Sequence, residues 1–219
     1  MSLILNFETS SKNCSVALST EGKLISNFDL EDDKYRHSEL LTSTIKDILV
    51  QNNISAKDLS AVAIGIGPGS FTGLRIGFSV AKGLCYPHKI NLIGISSLKI
   101  LANSIKADSG DIVSMINDKG NFYYLSTFED KLNEVGNPIL EQVDPNFIKK
   151  YIKDGSTIVV NSEDSFNYIS TTINDQIKLI NKSISSINMI DLSYESFLEK
   201  RFEDLAYCEP LYIKKPYVN

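Results

Sequence analysis

The sequence contains little of what proteins use to hold metal ions or to form disulfide bonds. Its 219 residues include no tryptophan, three cysteines and two histidines. Cys14, Cys85 and Cys208 are too scattered for a zinc knuckle or a disulfide framework, so we expect reduced, buried thiols. His37 and His88 are also distant in sequence and lie outside any His-Glu-x-x-His pattern. No metal site is predicted, because zinc catalysis needs three clustered ligands.

An excess of positive charge is also lacking. The chain has 22 Lys and Arg against 27 Asp and Glu, a formal net charge of -5. Phosphate binding normally needs a concentrated basic face, so this chain is not expected to bind RNA by itself. The first residues lead directly into strand-like sequence, without a basic segment followed by a long apolar one. We therefore expect no signal peptide, no membrane span and a cytoplasmic location.

The apolar pattern predicts an α/β protein built from two similar halves. In the first half, the pattern indicates three strands, a helix over residues 37–51, a strand at 61–66, a helix at 72–85, a strand at 92–95 and a helix at 96–106. The second half repeats this order more loosely and ends in a long helix at 186–202. Two successive βββαβα units are typical of the actin-like, ribonuclease-H-like fold. We predict lobes at 1–107 and 108–219, with the last helix and the tail returning toward the first lobe.

The most specific segment is a glycine-rich stretch, GIGPGSFTGLRIG, from Gly65 to Gly77. It joins a strand to a helix, where free backbone N–H groups often bind phosphate. However, it lacks the Gly-Lys-Ser/Thr of a Walker loop, and its third glycine falls one residue late for a dinucleotide fingerprint. A tight turn with the helix capped by Ser70 or Thr72 is the simpler interpretation.

Small residues recur every four positions along the second helix, at Gly73, Gly77 and Ala81. Such a stripe lets another helix approach closely. The preceding helix, which has its own apolar stripe, is the obvious neighbour, either within this chain or in a partner. We therefore favour a helix–helix interface here. On this interpretation, Gly73→Leu or Gly77→Leu abolishes partner binding and leaves the fold largely intact.

Several of these segments resemble the TsaB family, formerly called YeaZ. The glycine-rich stretch, followed by Ala-Lys-Gly-Leu at 81–84, looks like the family signature. Leu-Asn-Phe-Glu-Thr-Ser at 5–10 resembles its opening strand and Asp-Thr-Ser turn. Segments 37–41 and 94–98 resemble the start of its first helix and a strand-to-helix junction. The match is dense over residues 1–102.

This resemblance implies an actin-like ATPase fold and a role in making threonylcarbamoyladenosine beside the anticodon of tRNA. In that family a larger paralogue, TsaD, is catalytic, TsaB pairs with it through two helices, and the ATPase TsaE joins the pair. For this chain it implies a non-catalytic subunit that is a homodimer when alone and meets tRNA only through the complex. The implied interface comprises His37, Leu41, Ile45, Ile48, Thr72, Gly73, Arg75, Ile76, Gly77, Val80 and Ala81.

The sequence also departs from the family pattern. Glu8 stands where the family typically has Asp, which weakens any claim of a metal or water site at the opening turn. A vestigial ligand loop is implied at Glu8, Thr9, Ser10, Gly67, Gly69 and Ser70. We expect no cofactor to bind firmly to this chain alone, and ATP or ADP only within the complex.

Two alternatives stay open from the sequence. One is an actin-fold ATP-binding enzyme or a peptidase that acts by itself, although Ser70 does not sit in a Gly-x-Ser-x-Gly elbow. The other is a homodimeric binding module that uses the same helices.

Overall fold

The structure is a computed structural model that describes residues 2–31, 37–105 and 110–214. The chain forms two compact units. The first comprises Met1–Ile100 with Ile184–Leu211, and the second comprises Leu101–Ser183 with Tyr212–Asn219.

The first unit is built on a five-stranded mixed sheet in the order β3-β2-β1-β4-β5. Its strands are β1 (Leu3–Glu8), β2 (Asn13–Thr20), β3 (Lys23–Glu31), β4 (Ala61–Gly67) and β5 (Asn91–Ser96). Strands β1, β2 and β3 pair antiparallel, whereas β4 pairs parallel with both β1 and β5. All six residues of β1 are buried, and β4 is buried except for Ile66, as expected for central strands covered on both faces.

Helices α1 (His37–Gln51) and α2 (Phe71–His88) complete the core of the first unit. The apolar stripe of α1 packs into a buried cluster with side chains from β1, β2 and α2. This burial follows from apolar positions spaced three and four residues apart, which share one face of a helix. A helix α3 (Ser97–Ala102) follows β5. It is shorter than the predicted 96–106, and residue 106 lies outside the described residues.

The second unit repeats this plan, with a sheet in the order β10-β9-β6-β7-β8. Its elements are β6 (Ile112–Lys119), β7 (Phe122–Glu129), β8 (Asn133–Gln142), α4 (Pro145–Tyr151), β9 (Thr157–Val160), α5 (Glu163–Ser170) and β10 (Lys178–Asn181). Asp144 caps α4 by accepting from Phe147 N at 2.7 Å, with Pro145 at the first helical position. The predicted pair of similar βββαβα units is confirmed.

The end of the chain differs from the prediction. Instead of one helix at 186–202, a 3-10 turn (Ser186–Met189) is followed by α6 (Ile190–Leu198). This segment belongs to the first unit, where Ser186 N donates to Ser15 Oγ at 2.7 Å and Glu203 N donates to Leu92 O at 2.8 Å. The division into units therefore does not coincide with the predicted lobes 1–107 and 108–219. Across the described residues, no helix combines the length and the apolar content that a bilayer crossing requires.

Candidate functional site

The glycine-rich stretch closes around the turn that follows β1. Ser70 N donates to Ser10 O at 2.7 Å, and Thr9 Oγ1 donates to Gly73 O at 2.8 Å. Ser70 also caps α2, because its hydroxyl accepts from Gly73 N at 3.2 Å. Thr72, the other candidate cap, is exposed. Of the predicted vestigial ligand loop, these bonds bring together Thr9, Ser10 and Ser70, and a Cβ on Gly69 would overlap Ser10 O. Gly67 lies beside Leu74 and Leu211 instead.

The Glu8 carboxyl group lies at the centre of this cluster and is fully buried. Its Oε1 accepts from Thr9 N at 2.7 Å and from Ser10 N at 2.6 Å. Its Oε2 accepts from Ser97 Oγ at 2.9 Å. The carboxyl group is therefore satisfied by donors of its own unit.

Burial raises the pKa of Glu8, because removing the carboxylate from water disfavours its charge. Hydrogen bonds from Ser10, Ser97 and Thr9 act in the opposite direction, but desolvation is the largest effect. Burial also raises the pKa of the Cys14 thiol to about 11 and that of Cys85 to about 12. Cys14 and Cys85 are buried as predicted, whereas Cys208 is half-buried.

The small-residue stripe of α2 packs on the end of β1 and the turn after it. A Cβ on Gly73 would overlap the carbonyl oxygen of Thr9, and one on Gly77 would lie 2.6 Å from Thr9 Oγ1. The glycines therefore allow α2 to approach Thr9 within the same unit. The interpretation of Gly73 and Gly77 as a helix–helix contact is wrong, because the period of four identifies a shared face but not its neighbour.

The other residues of the implied interface differ in their burial. Leu41, Ile45, Ile48 and Ala81 are buried inside the first unit. Ile76 and Val80 are half-buried, and Arg75 is exposed with its guanidinium 3.8 Å above the Phe71 ring. His37 begins α1, but its side chain lies outside the described residues. Participation of these residues in a partner interface stays a prediction.

An apolar groove runs between α1 and α2 on the first unit. It has a volume of about 280 Å³ and is lined by Thr42, Ile45, Lys46, Leu49, Val50, Ile54, Val80 and Leu84. Val50 is 64% exposed although it is a large aliphatic residue. Of these lining residues, the sequence predicted only Ile45 and Val80. Val50 and Leu84 were missed, although an apolar residue outside the buried stripe of an amphipathic helix signals such a surface.

Among the described residues, no three His, Cys, Asp or Glu side chains lie close enough together to hold a metal ion. His88 is exposed at the end of α2.

Two units with the same strand order, each carrying helices between its parallel strands, define an α/β protein of the actin-like, ribonuclease-H-like class. Solved structures show the same fold. The chain superposes on YeaZ from Pseudomonas aeruginosa with a TM-score of 0.83 at 20% identity, covering 97% of this chain and 100% of that one. It also superposes on the inorganic polyphosphate/ATP-glucomannokinase from Arthrobacter sp. strain KM, with a TM-score of 0.56 at 8% identity, covering 91% and 100%.

Sequence comparison identifies the family. Residues 31–215 match a family model described as TsaD, tRNA N6-adenosine threonylcarbamoyltransferase. The tRNA threonylcarbamoyladenosine biosynthesis protein TsaB of Escherichia coli (strain K12) is 36% identical over 107 residues, which cover 49% of this chain and 46% of that protein. The protein of the same name in Bacillus subtilis (strain 168) is 30% identical over 143 residues, or 65% of this chain and 60% of that protein. The chain belongs to the TsaB (YeaZ) family, within the broader family that this model describes. It spans about half the length of the curated relatives it matches.

Proposed function

We propose that this chain acts in the biosynthesis of threonylcarbamoyladenosine in tRNA, as a non-catalytic subunit that activates a TsaD homologue by pairing with it. The names of its relatives support the pathway. The match to the TsaD family model supports pairing between two chains of related fold.

The single observation behind the pairing is the apolar groove between α1 and α2. Its lining residues include Val50, Ile54, Val80 and Leu84, and none of its lining side chains is acidic. Exposed apolar surface of this kind is costly in water and marks interaction sites. The groove lies on the two helices that the family resemblance implies for TsaD binding. When TsaD is absent, the same groove would pair two copies of this chain.

Two further partners belong to the proposal. The ATPase TsaE joins the pair, and tRNA is contacted only through the complex. A net charge of -5 supports this arrangement, because the counter-charge for RNA phosphates must then come largely from another subunit. We place the complex in the cytoplasm.

We also propose that this chain alone binds no nucleotide firmly and that ATP or ADP binds only within the complex. The backbone N–H groups of Thr9 and Ser10, which a phosphate would need, already donate to Glu8. The Ser70 hydroxyl accepts from Gly73 N as a helix cap, which is a structural role. Both observations support a non-catalytic subunit.

The decisive experiment is co-purification with the TsaD homologue of the same organism, followed by a tRNA threonylcarbamoylation assay with and without this chain. We expect a stable complex and modification that depends on both chains. Absence of binding together with modification that is independent of this chain would refute the proposed function.

A pair of variants tests the groove separately. Val50→Asp should weaken the complex by about tenfold or more, because it places a carboxylate in an apolar contact. Leu198→Asp is the matched control, since Leu198 is 61% exposed on α6, away from the groove. If Val50→Asp binds like Leu198→Asp while modification still depends on the chain, the function stands and the groove is not the interface.

A further inference from the structure

The apolar groove between α1 and α2 carries a single charge. Among the described residues that line it, Lys46 is the only charged one. Lys46 follows Thr42 by one helical turn and precedes Val50 by one turn, so it stands in the middle of the α1 wall of the groove. Val80 and Leu84 of α2 form the facing wall. A chain that fills this groove therefore covers the stem of Lys46 and meets its ammonium group.

Self-pairing through the groove brings two Lys46 side chains into one contact. In a two-fold contact the same patch of both copies meets itself, so each copy contributes its own lysine. The described lining residues include no acidic side chain that could serve as a counter-charge. Asp47 follows Lys46 in the sequence, but successive side chains on a helix point about 100° apart, and Asp47 does not line the groove. Two ammonium groups would thus lose water without compensation, which is unfavourable.

The flexibility of lysine reduces this cost without removing it. A long stem lets each ammonium group reach toward water at the rim of a contact. The two groups still carry like charges within one interface, and like charges suppress pairing between the surfaces that bear them. A carboxylate on the opposing surface reverses the sign of the interaction. The same lysine then favours binding, and a difference of this kind sets partner specificity.

We propose that Lys46 selects the partner of the groove. It disfavours a second copy of this chain and favours an apolar surface that carries one carboxylate opposite Lys46. The inference rests on the proposed function, in which that partner is a TsaD homologue. It adds to that function the residue that ranks the two pairings.

The family match is consistent with such a partner. Residues 31–215 match the TsaD family model, and this range includes both α1 and α2. A TsaD homologue therefore has segments that correspond to the two helices of the groove. Pairing of two such related surfaces keeps the apolar contact and exchanges one of the two lysines for a carboxylate.

The first test mixes two forms of the full chain and needs no other protein. Lys46→Glu should self-pair weakly, because it replaces two like charges by two others. A mixture of Lys46→Glu with the unsubstituted chain should pair about tenfold more tightly than either alone, because the charges are then opposite. Analytical ultracentrifugation with one component labelled measures the three dissociation constants. Lys23→Glu, at an exposed position on β3, is the matched control and should give no such preference. If the mixture pairs no more tightly than its two components, the proposal is overturned.

The second test compares the two pairings in one variant. Lys46→Met keeps an unbranched side chain and good helix propensity but removes the charge. It should tighten self-pairing and weaken binding to the TsaD homologue, each by about tenfold. Lys23→Met should change neither. A groove that acts only through its apolar surface gives the same sign for both pairings, so a change of both in one direction would overturn the proposal.

The outcomes separate this inference from the proposed function. If the TsaD complex forms and modification depends on this chain, but Lys46→Met binds TsaD like the unsubstituted chain, only the role of Lys46 is wrong. If no TsaD complex forms and modification is independent of this chain, the proposed function and this inference are both overturned.

Discussion

The carboxyl group of Glu8 occupies the space that a side chain on Gly65 would need. Glu8 ends β1, and Gly65 lies near the end of the adjacent parallel strand β4. A Cβ on Gly65 would overlap Glu8 Oε2, while that oxygen accepts from Ser97 Oγ at 2.9 Å. The glycine and the glutamate are thus parts of one packing arrangement.

Gly65→Ala should destabilise the protein by about 2–3 kcal/mol, because the methyl group must displace a buried carboxyl group with three hydrogen bonds. Urea unfolding measures the free energy of unfolding. The same substitution in a Glu8→Ala background should cost clearly less, since the overlapping oxygen is gone. Equal costs in both backgrounds would contradict the contact.

The stability contribution of Glu8 should depend on pH. Burial raises the pKa of Glu8 in the folded state above its ordinary value of 4.5, so the folded state binds the proton more tightly than the unfolded state. This contribution is fully present below pH 4.5 and is lost as the pH rises through the folded pKa. Glu8→Gln stays neutral and lacks this dependence.

The free energy of unfolding of Glu8→Gln should therefore increase relative to that of the unsubstituted chain as the pH rises from 4.5. Urea unfolding at several pH values measures the difference. Glu31→Gln, which removes a carboxyl group at an exposed position on β3, is the matched control. A pH-independent difference for Glu8→Gln would show that the folded pKa is not raised.

Gly73→Leu and Gly77→Leu should each destabilise the first unit by about 3 kcal/mol or more. Both side chains would be driven into Thr9, and at Gly73 the obstacle is a backbone carbonyl that cannot rotate away. Gly83→Ala is the matched control on the same helix. Apart from the surrounding turns of its own helix, no described atom lies within 4 Å of a Cβ there, so this change should stabilise by about 0.5–1 kcal/mol. Retention of full stability in Gly73→Leu would contradict the packing of α2 on the turn.

The three thiols should differ in their rates of alkylation. Cys14 and Cys85 are buried with pKa values of about 11 and about 12, which leaves almost no thiolate at neutral pH. Cys208 is half-buried, so iodoacetamide should label it first. Mass spectrometry of the native protein measures the order. In Cys208→Ser, the fast phase of alkylation should be absent. If a fast phase persists in that variant, one of the buried thiols is accessible.

Much of the first unit could be predicted from the sequence because its signals are local. The mostly apolar strand β1, the apolar stripe of α1 and the serine that caps α2 each depend on neighbouring residues. The end of the chain was harder to predict. In place of the predicted helix at 186–202, a 3-10 turn precedes a shorter α6, and Ser186 N donates to Ser15 Oγ across 171 residues, a contact that no local pattern shows.

The amino-acid sequence by itself determined the order of strands and helices, the repeat of that order, and the membership of the TsaB family. Periodicity and glycine spacing suffice for the order and its repeat, since they reflect the backbone preferences of short segments, whereas the family follows from the resemblance of whole motifs. Only the tertiary structure decided what the glycine stripe faces and where the Glu8 carboxyl group goes. A period of four shows that Gly73 and Gly77 share one side of a helix, but the neighbour is chosen by packing against Thr9. The Glu8 carboxyl group accepts from Ser97, 89 residues away in the chain, and from two backbone N–H groups, which offset part of its loss of water.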